Sequence, residues 1–122
     1  MADIPKSLRR ELREVARRAY EAELSQALGP LADAFDAWRT GRLSAPKLVE
    51  QIHDFHDGVN RQIWKRFTYH SPVSAVSHAI ASRALDRTAV SPQLLAYLES
   101  GIQLFEDLRA LEASDEGDDQ AD

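Results

Sequence analysis

The chain has no cysteine. That excludes a disulfide framework and any metal site built on thiolates. It has no apolar run approaching the ~18–20 residues that span a bilayer. The opening stretch, MADIPKSLRRELREVARR, has charge but no apolar segment behind it, so it does not read as a secretory signal. β-Branched residues are scarce and never alternate over a useful length, so no strand is expected. There is no Gly-x-Ser-x-Gly elbow, no glycine-rich phosphate loop and no His-Glu-x-x-His helix. These absences point to a non-enzymatic, cytoplasmic, all-α protein with no membrane partner. The abundance of Ala and Arg suits a GC-rich bacterial genome.

What is present is charge, unevenly placed. The formal net charge is −5, with 20 acids against 15 Lys and Arg. Five of the acids lie in the last eight residues, DEGDDQAD, so the rest of the chain is close to neutral. The expectation is one domain over residues 1–113 and a disordered acidic tail over 114–122. A chain of 122 residues is long enough to bury a core without staples.

Periodicity divides the chain into four main helices, near 6–39, 45–69, 72–86 and 92–112, which short connections arrange as an antiparallel bundle. The first is long. Its apolar period continues through Gly29-Pro30 to Leu31, Phe35 and Trp38, which predicts a kink at Pro30 rather than a loop. Gly41 fits the residue just past its end. Ser44, Ser71 and Ser91 each stand at a helix start, with a proline in the following turn. The strongest period lies in EQIHDFHDGVNRQIWKRF, Glu50 to Phe67. There Ile52, Phe55, Val59, Ile63 and Phe67 recur at steps of three and four. That phase crosses Gly58, so one unbroken helix is expected. The predicted core is Leu12, Phe35, Ile52, Phe55, Val59, Ile63, Ile80, Leu98, Ile102 and Phe105.

Three readings of function compete. The first is protein–protein contact. The last helix carries Leu94, Leu95, Leu98, Ile102, Phe105, Leu108 and Leu111, a face wider than one four-helix core needs. Trp38 and Trp64 are anchor types. The expected partner is a second copy, giving a homodimer, or another protein to which this chain is a subunit. His53, His56 and Asn60 interrupt the apolar arc beside Trp64, with Asp57 and Arg61 adjoining. They are expected to form a partly buried polar cluster, with Asp33 and Asp36 as hydrogen-bond partners.

The second reading is nucleic-acid or acidic-partner binding through the first helix. Lys6, Arg9, Arg10, Arg13 and Arg17 share an arc of about 100°. No aromatic residue is interleaved with them to stack on bases. The third is a metal site at His53, His56 and Asp57. Glu50-x-x-His53 has the spacing used in di-iron bundles, but such bundles need two copies and one is present. Helical geometry lets at most two of these four groups reach one ion, and a third ligand would come from Asp33, Asp36, His78 or Glu99. No cofactor is expected. His70 and His78 have no carboxylate partner identifiable in the sequence.

Overall fold

The computed structural model describes residues 4–120, with side chains to Asp115. Among these residues the fold is an all-α bundle. It comprises α1 (Lys6–Arg39), α2 (Ala45–Asp57), α3 (Val59–Tyr69), α4 (Pro72–Ala81), a single 3-10 turn (Arg87–Ala89) and α5 (Pro92–Gln120). None of these helices is long and apolar enough to cross a membrane.

The three serine caps form as the sequence predicts. Ser44, Ser71 and Ser91 accept from the amides of Lys47, Ser74 and Leu94 at 3.3, 3.2 and 3.2 Å. Each satisfies one of the amide donors that a helix start leaves unpaired. Pro30 lies inside α1, which continues past it to Arg39. Gly41, at φ +81°, closes α1 where expected: its amide reaches Trp38, and the amide of Arg42 reaches back to Ala37.

Three boundaries differ from the predicted ones. The expected helix 45–69 is broken at Gly58, whose φ −99° and ψ −96° leave the helical region. A Cβ on Gly58 would sit 2.8 Å from the carbonyl oxygen of Asp54, so a close backbone approach interrupts the helix expected to run through it. The expected helix 72–86 stops at Ala81. Arg83, at φ +65°, closes it through amides running to Ile80 and from Leu85 to Ala79. Asp86 then starts the 3-10 turn by accepting from the Thr88 amide at 2.8 Å. The last helix does not end at 112 but continues to Gln120. No proline intervenes, and extending an existing helix costs far less than starting one. The helix therefore enters the stretch expected as a disordered tail from 114. Residues 121 and 122 of that stretch lie outside the described residues.

The core is built from the first half of α1, α4 and the first half of α5. Leu12, Val15 and Ala19 meet Val76, Ala79 and Ile80, with Leu94, Leu98 and Ile102 fully buried among them. The contacts Ser77–Gly101, His78–Phe105 and Ala81–Arg109 advance together, so α4 and α5 run side by side in the same sense. The loop between them returns the chain. The Ser91 amide donates to Glu11 at 3.0 Å and fixes the start of α5 against α1.

The predicted core is right in its ends and displaced in its middle. Leu12, Ile63, Ile80, Leu98 and Ile102 are buried. Phe55 and Phe105 are half-buried. Phe35, Ile52 and Val59 are 38, 37 and 47% exposed. The stretch with the strongest period is therefore an arm rather than the centre: α2 packs on α1 and α3, while α4 and α5 pack on each other and on α1.

Candidate interaction surface

The arm is a helical hairpin. The second half of α1 descends to the Thr40–Ser44 turn and α2 returns antiparallel to it, with Phe55 of α2 and Val59 at the start of α3 opposite Ala27, Pro30 and Leu31. Ala34 and Leu48 are buried between them. On α1, Leu24, Leu28, Leu31 and Phe35 fall within an arc of about 60°. The buried residues Leu12, Val15, Ala19 and Glu23 occupy an arc centred about 150° away. α4 and α5 thus cover one side of α1, and its apolar second half faces the other way. On α2, Val49, Ile52 and His56 share an arc of about 60° beside the α1 contact. For antiparallel neighbours these two arcs lie on the same side of the hairpin. Between the helices is a notch of about 280 Å³, lined by Ala27, Pro30, Leu31, Gln51, Asp54, Phe55 and Val59.

The same edge of α1 changes chemistry along its length. Lys6, Arg10, Arg13 and Arg17 occupy the arc that Leu24, Leu28, Leu31 and Phe35 occupy further on. All four cations are exposed, as is Arg9, whose Nε donates to the carbonyl of Ile4 at 2.9 Å. One face therefore runs from cationic at the N-terminal end to apolar at the hairpin tip.

Trp64 stands between these two halves. It shares a cleft with Ala16, Arg17, Tyr20, Phe67 and Thr68, and a second hollow with His56, Asp57, Asn60 and Arg61. Tyr20 meets Phe67 edge-on at 5.2 Å, and Trp64 meets Tyr69 in the same way at 5.7 Å. The fold thus supplies from α3 the aromatic group missing from the basic stretch of α1.

The polar residues expected beside Trp64 come together, but only Asn60 of them is half-buried, while His56, Asp57 and Arg61 are exposed. His56, Asp57, Asn60 and Arg61 line one hollow with Trp64. His53 stays outside it. Its side chain is 73% exposed, with Nε2 at 2.9 Å from Asp57, so it is not partly buried and its partner is neither Asp33 nor Asp36. Both of those acids are exposed on α1. The break at Gly58 separates His53 from the α3 residues that an unbroken helix would have aligned with it. Among the described residues no three His, Asp or Glu side chains converge as a metal would require, so His53, His56 and Asp57 gain no third ligand.

One group of polar residues was not foreseen in the sequence. Glu23 is 5% exposed. Its carboxylate accepts from Arg66 Nη1, 3.0 Å from each oxygen, and lies 2.9 Å from His78 Nδ1. This joins α1, α3 and α4 at one point, with the His78 ring edge-on to Phe105 at 5.2 Å. His78 therefore does have a carboxylate partner. The signal in the sequence is the position of Glu23, four residues after Ala19 on the buried arc of α1. Nothing local announces Arg66 or His78. Comparison of the chain with known protein families, curated proteins and solved structures gives no match.

Proposed function

We propose that the chain is a non-enzymatic interaction protein of the cytoplasm that receives a helical partner on the uncovered face of α1 and α2. The observation that carries this reading is the exposure of Leu28 and Phe35 on α1 together with Ile52 on α2, the last within the stretch of strongest apolar period. An isolated pair of helices cannot bury its own apolar face. Removing the rest of each such side chain from water is worth roughly 1 kcal/mol, so several must be covered together. The notch at Pro30 gives that face a recess for an anchoring side chain.

The test is a photo-crosslinking residue placed at Phe35 or Ile52 in the full chain, in cells, with Asp33 on the far side of α1 as control. Discrete adducts at Phe35 and Ile52 and none at Asp33 are expected. No adduct at any position, or equal adducts at all three, overturns the reading.

Nucleic-acid binding is the second reading, favoured by Trp64 and Tyr20 standing beside Arg17. A single strand would lay phosphates on Arg9, Arg13 and Arg17 and stack a base on Trp64. Affinity for an oligonucleotide would then fall steeply with salt and fall again in Trp64→Ala. No binding at about 50 mM salt sinks it.

A further inference from the structure

We infer that the occupant of this face is the C-terminal part of α5 from a second copy of the chain. The inference rests on the reading above and names its partner. α5 has an uncovered stripe of its own. Leu104, Leu108 and Leu111 stand at steps of four and three and are 57, 45 and 62% exposed. Among the described residues the buried ones of α5 end at Ile102, and its last tie to α4 is Arg109 donating to the Ala81 carbonyl at 3.1 Å. After the leucines the sequence of α5 carries the acids Asp115, Glu116, Asp118 and Asp119. The order along α5 is therefore apolar, then anionic.

The receiving face has the complementary order in reverse. From the hairpin tip towards the N-terminus, α1 presents Phe35, Leu31, Leu28 and Leu24, then Arg17, Arg13, Arg10 and Lys6. An α5 laid antiparallel on it sets leucines on leucines and acids on cations at one register. The lengths agree. Leu104 to Leu111 spans about 10 Å against about 16 Å from Leu24 to Phe35. The step from Leu111 to Asp115 is about 6 Å, against about 10 Å from Leu24 to Arg17. Within one copy the match cannot close, because α5 packs on the side of α1 turned about 150° from the receiving arc. Between two copies it closes twice. Each gives one α5 and receives one, which satisfies both apolar stripes and both charge runs with two-fold symmetry.

The absence of native cysteine makes the test direct. Leu28→Cys and Leu108→Cys are prepared separately as full chains, then mixed and oxidised. Sedimentation is run on the parent chain, Phe35→Ser and Leu108→Ser, with helicity checked by circular dichroism. A parent dimer is expected, weakened by salt. Either serine variant should weaken it by about tenfold or more, and disulfides should form between Leu28→Cys and Leu108→Cys chains in preference to either alone. A parent chain that stays monomeric at high micromolar concentration overturns the inference. So does a dimer that is cross-linked mainly through two Leu28→Cys chains and is indifferent to Leu108→Ser. In both cases the interaction reading stands if Phe35 still gives its adduct in cells, and it falls with the inference if Phe35 gives none.

Discussion

Glu23 and His78 lie 55 positions apart in sequence and 2.9 Å apart in space, with the same carboxylate also holding Arg66. Glu23 is almost fully buried, while the side chains of Arg66 and His78 keep about a quarter of their surface in water at 25 and 27%. The carboxylate thus depends on its partners more than they depend on it. Glu23→Ala should cost about 2–3 kcal/mol, the range for losing hydrogen bonds to a charged group when the partners keep some water. Urea unfolding would show this as a lower midpoint at unchanged slope. An unaltered midpoint would remove the cluster from the account of stability.

Ser77 and Gly101 are coupled at the α4–α5 crossing. A Cβ on Gly101 would meet the Ser77 Oγ at 2.8 Å and its Cβ at 3.1 Å. Among the described residues the same Oγ is buried without a hydrogen-bond partner. Gly101→Ala should therefore destabilise by about 1–3 kcal/mol despite the better helix propensity of alanine. In a Ser77→Gly background most of that cost should vanish. Ser77→Ala alone should be neutral or stabilising, since it removes an unpaired polar atom. A double-mutant cycle gives the coupling, and additive effects would deny the contact.

Leu98 and Phe35 should separate core from arm. Leu98 is fully buried in the α1–α4–α5 core. Leu98→Ala should cost about 2–5 kcal/mol. Phe35→Ala, at a position already 38% exposed, should cost clearly less in the isolated monomer. Phe55→Ala should fall between them because Phe55 is half-buried. Equal costs for Leu98 and Phe35 would mean that the arm is already covered.

Asp86 sets a pH dependence at the 3-10 turn. Its carboxylate accepts from the Thr88 amide and hydroxyl, both at 2.8 Å, and these bonds hold its pKa below the ordinary aspartate value. A folded pKa below the unfolded one means the turn is favoured above the unfolded value and loses this support as pH falls through the folded one. Carboxyl chemical shifts followed by acid titration should show the depressed midpoint. The backbone bond lowers it most and the side-chain bond next, so Thr88→Ala should bring it only part of the way back.

Local chemistry alone determined much of this protein. Heptad-like spacing and three serine caps marked the starts of α2, α4 and α5, because a cap and its apolar period are read within a few residues. The fold class followed from the absence of any alternating segment. Two of the later boundaries needed more than the period. Gly58 breaks a stripe whose phase is unbroken, and Arg83 closes α4 in a conformation that an arginine rarely adopts.

What the tertiary structure decided is which apolar faces meet. The stripe through Ile52, Phe55 and Val59 is the most regular in the chain, and it reads as core because periodicity records an apolar face, not what covers that face. α4 and α5 cover the first half of α1 instead, with Ser77 and Gly101 in close approach where the two helices meet. The pairing of Glu23 with Arg66 and His78, and the placing of Trp64 beside Arg17, join residues more than 40 positions apart. The helical period fixes the direction of a side chain about its own axis. Only the packing of one helix on another fixes what that side chain meets.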